Sequence, residues 1–437
     1  MTHLLSLFSA LCLALLPAAC SDNGAPEPER PSLPAEARRT VLVYMCAQNT
    51  LGSEPLGSCQ RKDSAEIVAA RGSLAPHDRL LLFIDDADAP RLYEVAPAQV
   101  RPLLLKRWTD DFCSASPARF GEVLREAAAQ CPAEEDGLVM WSHSDGWLPP
   151  TQTDYAAFEP LSAPPAAHAG TLSFGIDSGP EGGLSNRGAQ MAVEDMAEAI
   201  AAAGIRLRYV FFDSCLMQNV EVAYALRHVA DLVVGAPMTI PGNGAYYTHL
   251  LARGLFAADP ADIVDTYVAD VADDSLRLHY DDFGLVLSAV RTDRLEALAE
   301  ALRDALPQSA LADSGDVDMT GVLNYQAYAE KYYYRPHNFD ALQALRRVLA
   351  PADTARVFAA LEAAVVRHAG TQRFWIGPYA WDMQEVPVKT DDFRGLSLFI
   401  PQNRYSRNAR QTVHGDLNAA FRQTEWYRAA GFEATGW

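Results

Sequence analysis

A chain of 437 residues, 49% apolar and 9% aromatic, can bury one large core or two ordinary ones, which excludes a disordered protein. Its 36 Lys and Arg against 56 Asp and Glu leave a net charge of −20, which repels phosphate backbones and anionic headgroups alike. Nucleic acid is thereby excluded as a partner.

The chain opens with MTHLLSLFSALCLALLPAACSDNG, an apolar run over residues 4–16 followed by small residues up to Cys20. The run is too short to span a bilayer and is placed like an export signal. It resembles a bacterial lipoprotein signal, although Pro17 stands where Leu is usual and no Lys or Arg precedes the run. That resemblance implies loss of residues 1–19, lipidation of Cys20, and a solvated Ser/Pro/Glu-rich tether over 20–37 that leaves the protein anchored to the cell envelope; plain secretion is the alternative. Of seven cysteines, export would leave Cys46, Cys59, Cys113, Cys131 and Cys215 in an oxidising compartment. Pairing by short separation, Cys46 with Cys59 and Cys113 with Cys131, would leave Cys215 free; an all-reduced set is equally compatible with the sequence.

From residue 40, short apolar runs at 40–46, 79–85, 137–143, 207–213 and 231–237 read as strands buried on both faces. Stretches with helical spacing lie between them at 61–71, 117–130, 187–203 and 215–228. The alternation predicts an α/β protein with a mostly parallel sheet covered by helices on both faces, spanning 38–291. A Pro/Gly/Ser/Ala-rich segment, 148–186, interrupts it, too long for an idle loop. A strand at 283–291 closes this core. Residues 292–437 read as a mainly helical C-terminal region with one late strand at 395–401.

Parallel sheets place ligand sites beyond the carboxyl ends of their strands. GLVMWSHSDGW delivers His143 to one such end and YVFFDSC delivers Cys215 to another, where it is expected to open the next helix. A thiol at a helix N-terminus beside an imidazole is a candidate nucleophile; taken singly, a Cys in an apolar run is more often core and a lone His more often a cap.

WSHSDGW, then FFDSCLMQNVEVAYALRHVADLVVGAP and PGNGAYY, with FGLVLSAVR, GLSLFIP and the closing DLNAAFRQTEWYRAAGF, resemble the clostripain family of cysteine peptidases over most of residues 40–433. The resemblance implies a caspase-like fold, a nucleophile at Cys215, a catalytic histidine at His143, and an acid at Asp213 lining the pocket for a basic P1 side chain. It also implies an oxyanion hole made by the backbone N–H groups of Ser144 and Cys215. Two positions depart from the family pattern: Ser144 stands where most relatives have Gly, and Ser214 where Ala is common.

The expected function is therefore an exported endopeptidase that cleaves proteins or peptides after Arg in preference to Lys. A weakened or inactive peptide-binding lipoprotein of the same fold is the alternative, and an amidase acting on cell-wall peptides a third class. For Asp213 the competing reading is a helix N-cap. No cofactor is required by the sequence, and calcium is possible. IDDAD (84–88) offers three carboxylates but lacks the spacing of a calcium loop, and His228, His249 and His279 show no zinc spacing with any cysteine. EKYYYRP (330–336) is an aromatic-basic patch. Residues 144–186 contain no Lys or Arg, so a peptidase selective for basic residues has nothing to cut within that segment.

Overall fold

The structure, a computed structural model, describes residues 37–52, 58–149, 173–179, 188–276, 283–326, 337–376, 383–387, 389–407 and 415–437. The expected signal, Cys20, most of the tether, His279 and the whole of the 330–336 patch lie outside the described residues. Residues 35–437 form one compact unit.

The main sheet is built from β1 (Ala37–Cys46), β2 (Asp78–Asp85), β3 (Arg91–Val95), β4 (Leu103–Arg107) and β5 (Ala133–Trp141). Three short strands follow, β6 (Ser144–Gly146), β7 (Ser173–Asp177) and β8 (Ala189–Ala192), which form a separate antiparallel sheet. The chain then returns to the main sheet with β9 (Leu207–Asp213), β10 (Leu232–Gly235) and β11 (Val286–Arg291). After the two-residue β12 (Phe339–Asp340), β13 (Val365–Gly370) completes it. The order is β13-β11-β10-β9-β5-β1-β2-β3-β4. Strands β2, β1, β5, β9 and β10 are parallel neighbours, and antiparallel strands close both sides.

Side-chain alternation explains why the central strands read as unbroken apolar runs. Leu42 and Tyr44 of β1, Leu138 and Met140 of β5, and Val210 and Phe212 of β9 enter one core with helices Pro117–Gln130, Val193–Ala202 and Leu295–Ala305. The intervening Val41 and Val43, Val139 and Trp141, and Tyr209 and Phe211 enter a second core with helices Cys59–Ala70 and Asp262–Ala272. A sheet with helices on both faces has this signature.

Several expectations change. Among the described residues, Cys46, Cys59, Cys113, Cys131 and Cys215 form no disulfide. Cys46 and Cys59 lie in the two different cores, with the sheet between them. Cys113 and Cys131 flank opposite ends of the 14-residue helix Pro117–Gln130, which at 1.5 Å per residue separates them by roughly 20 Å, beyond disulfide reach. The late strand expected at 395–401 shrinks to Ser397–Leu398, paired with β12. The C-terminal region instead contributes β13 to the main sheet. The expected helix at 215–228 starts only at Val220, because Leu216 adopts φ 63 and turns the chain away from a helical path.

Candidate active site

Chain order reverses at the centre of the sheet: β1 passes to β2 on one side, and the chain later returns to β5 on the other. Such a reversal opens a crevice at the carboxyl ends of the strands. Strands β5 and β9 are parallel neighbours in a register that pairs Trp141 with Asp213. Each chain then runs on by two residues, one to His143 and the other to Cys215. Both expected catalytic residues therefore leave the sheet at the same level, from strands about 4.8 Å apart.

His143 is held from the β1 side. Thr50 Oγ1 lies 3.0 Å from His143 Nε2. The loop carrying Thr50 is locked by Asn49, whose buried amide donates to Cys46 O at 2.9 Å and Ile176 O at 2.8 Å, while its Oδ1 accepts from Leu51 N at 2.9 Å. Sequence reading passed over Thr50, although AQNT follows an apolar run and so sits at a strand end, the same signal that marked His143.

Cys215 is half-buried in a turn, five residues before the helix begins. The dipole argument for its thiolate does not apply. Burial pushes its thiol up to about 11; the Ile240 N–H, 3.4 Å from Sγ, pulls the other way, and Asp145 and Asp213 add to the rise. The thiol is thus protonated at neutral pH, and a nucleophilic role for it would require that its proton be taken.

Asp213 is buried and does not cap the following helix, whose N-cap is Asn219. Its carboxylate accepts from Ala245 N at 3.1 Å and from the Tyr247 hydroxyl at 2.8 Å, so it ties down the PGNGAYY loop at 241–247. Burial raises its pKa to about 6, against the pull of those donors. Two further acids that the sequence did not single out stand near it on helix Cys59–Ala70. Asp63 accepts from Trp141 Nε1 at 2.7 Å, and its carboxyl is raised well above the usual range by burial and then by Asp213. Glu66 accepts from Tyr247 N at 3.1 Å and is raised to about 7, chiefly by burial.

The other sequence candidates lie elsewhere. In IDDAD, Asp85 is fully buried, Asp86 pairs with Arg91 at 2.8 Å, and Asp88 is exposed. His249 bonds Asp270 at 2.7 Å. Among the described residues no group of three His, Cys, Asp or Glu is arranged to hold a metal ion. Nor is any described helix long and apolar enough to cross a membrane.

An α/β sheet with a cysteine and a histidine delivered side by side from two parallel strand ends has the architecture of a caspase-like cysteine peptidase. The clostripain family profile matches residues 184–426, more than half of the chain, and the protein belongs to that family. The matched span contains Asp213 and Cys215 and leaves out His143. A secreted C11 cysteine protease from Bacteroides thetaiotaomicron, solved with an irreversible peptide inhibitor, superposes with a TM-score of 0.70 at 25% identity, covering 91% of this chain and all of that one. An inactive zymogen C11 protease from Parabacteroides distasonis gives a TM-score of 0.69 at 22% identity over 91% of this chain and 99% of that one. No curated protein matches the sequence. The chain is accordingly a cysteine peptidase.

Proposed function

We propose that the protein is an exported endopeptidase, anchored through a lipid on Cys20, that cleaves after basic residues with a dyad of His143 and Cys215. The observation that carries this reading is the β5/β9 register, which brings both residues off neighbouring strands at one level. In the proposed reaction His143 takes the Cys215 proton as Sγ attacks the scissile carbonyl. The backbone N–H groups of Ser144 and Cys215 bind the oxyanion, and the imidazolium returns the proton to the leaving amine. Water then hydrolyses the acyl-enzyme.

The ladder supports Ser144 as a donor. Gly175 N donates to His143 O at 2.9 Å, so Ser144 and Phe174 form a non-hydrogen-bonded pair and the Ser144 N–H is directed away from β7. Asp213 supports a basic P1 side chain: it shares the Trp141 face of the sheet, two residues from the nucleophile, and with its pKa raised only to about 6 it stays ionised at neutral pH. Arg is favoured over Lys because its forked donors suit a carboxylate already committed to two other donors.

The test is a peptidyl acyloxymethyl ketone ending in Arg, with intact-mass detection. The parent should gain one adduct on Cys215, while Cys215→Ala and His143→Ala should gain none and melt within about 2 °C of the parent, since catalytic residues seldom hold a fold together. A parent that binds the peptide yet stays unmodified would instead be a peptide-binding protein of the same fold.

A further inference from the structure

The loop that follows His143 and the loop that holds Cys215 are stitched together at several points. Ser144 Oγ donates to the Cys215 carbonyl at 2.5 Å, and Ser144 is buried, so water does not compete for the bond. Two residues on, Gly146 has φ 70, and its backbone approaches so closely that a Cβ there would stand 2.5 Å from Leu216 O and 2.6 Å from Asn219 Oδ1. The same Asn219 oxygen accepts from Trp147 N at 3.0 Å, and its amide donates to Ser397 Oγ at 2.5 Å. Leu216, next to the nucleophile, is held at positive φ, a strained conformation that persists only where its surroundings impose it.

We infer that the Ser144 hydroxyl is a positioning group: its bond to the Cys215 carbonyl fixes the spacing between the backbone N–H of Ser144 and that of Cys215. The inference rests on the catalytic assignment proposed above. Those two N–H groups come from different strands, one at the β5 end and one at the β9 end, and no ladder links the residues that carry them. A glycine at 144 would leave their separation to the surrounding packing. The hydroxyl supplies a direct hydrogen-bonded tether through one side chain, from the very residue that presents one donor to the backbone of the residue that presents the other. Oxyanion stabilisation depends on donor placement at the few-tenths-of-an-ångström level, so the bond acts on the transition state and leaves substrate binding alone.

The experiment compares parent, Ser144→Ala and Ser144→Thr on a P1-Arg fluorogenic peptide, with three companion readouts. These are affinity for a peptidyl aldehyde, whose thiohemiacetal oxygen occupies the oxyanion position, the rate of Cys215 alkylation by iodoacetamide, and the thermal midpoint. Ser144→Ala should lower kcat roughly three- to tenfold, the worth of one net hydrogen bond, with KM within about twofold. Aldehyde affinity should fall in step, while iodoacetamide alkylation and the melting point stay at parental values. Ser144→Thr, which keeps the hydroxyl, should restore kcat. A Ser144→Ala enzyme as fast as the parent, or a Ser144→Thr enzyme as slow as Ser144→Ala, overturns the tether. A parent with no turnover and no Cys215 adduct overturns the catalytic assignment itself, and the tether falls with it.

Discussion

Asp213 holds a loop in the structure and is proposed for a second task, and the demands of the two differ. Its bonds to Ala245 N and the Tyr247 hydroxyl hold the 241–247 loop, and they work with the carboxyl neutral or charged. Pairing with a guanidinium needs the charge. Burial sets its pKa at about 6, so the resting group is ionised at neutral pH and neutral in mild acid. If Asp213 lines the P1 pocket, the ratio of kcat/KM for an Arg substrate to that for a neutral citrulline substrate should fall as pH drops through about 6, since any limb set by the base His143 is common to both and cancels. Asp213→Asn keeps an acceptor for the loop but removes the charge, at a cost of roughly 1.5–3 kcal/mol, or about ten- to a hundredfold in kcat/KM for Arg substrates. In the variant that ratio should be flat over the same range. An Arg-to-citrulline ratio that still falls with pH in Asp213→Asn, or an unchanged preference in a P1-scanned peptide library, would show that the residue is only a loop tether. Close packing makes a second variant informative. Gly244, at φ 61, would put a Cβ 2.6 Å from Asp213 Oδ2, so Gly244→Ala should damage Arg cleavage without touching any charge.

At the scale of elements, the site depends on β6, a three-residue strand, being pressed against the turn 215–219. Gly146→Ala adds a methyl at positive φ with no room beside Leu216 O, so it should push the two loops apart. We expect at least a tenfold loss of kcat from a misplaced dyad, read by steady-state kinetics; parental turnover would mean that the loops are not mechanically coupled. Nothing in SDGW announced this strand, because three residues carry no periodicity. The parallel strands were legible since each is buried on both faces and so reads as a continuous apolar run. The edge strand β4 faces solvent in part, and its neighbour β3, though mostly buried, carries Arg91 and Glu94 in its five residues; both were missed. So was β13, where VVRHAG is polar enough to pass for helix or loop. The segment after Cys215 misled for a different reason: LMQNVEVAYAL has helical spacing throughout, but the positive φ of Leu216 delays the helix to Val220, and no residue type at 216 signals such a bend. The reach of Glu221 to Phe399 N at 3.0 Å, which fastens the short helix to the C-terminal region, is likewise a tertiary fact with no local trace.

For the whole molecule, the absence of Lys and Arg from 144–186 predicts that a peptidase selective for basic residues works as one uncut chain; active material running as two fragments split within that segment would contradict it. A larger consequence follows from the number of acids held inside. Burial raises Asp136 and Asp213 to about 6, and Glu66 and Glu221 to about 7. Burial raises both Asp85 and Asp177 in the interior; the charge on Asp177 raises Asp85 further, while Gly179 N and Ser114 N, 2.9 and 2.6 Å from the Asp177 carboxylate oxygens, favour keeping the charge of the pair on Asp177. All these groups bind protons more tightly folded than unfolded, where carboxyls titrate near 4. Their contribution to stability is therefore complete below about pH 4 and is lost as pH rises through 6 to 7. Carboxylates held by cations, such as Glu122 and Glu126 beside Lys106, have lowered values and shift the other way, but they are few and partly exposed. The net charge of −20 adds repulsion that also grows with pH. The melting temperature should accordingly fall between pH 5.5 and pH 8, where an ordinary mesophilic protein is nearly flat. Glu221→Gln, which fixes one of these groups in its neutral form, should flatten the slope, raising the melting point more at pH 8 than at pH 5.5. Calorimetry across that range decides the matter: a melting temperature that rises towards pH 8 would mean that the buried acids are relieved by water or by rearrangement, and that the interior does not store this charge.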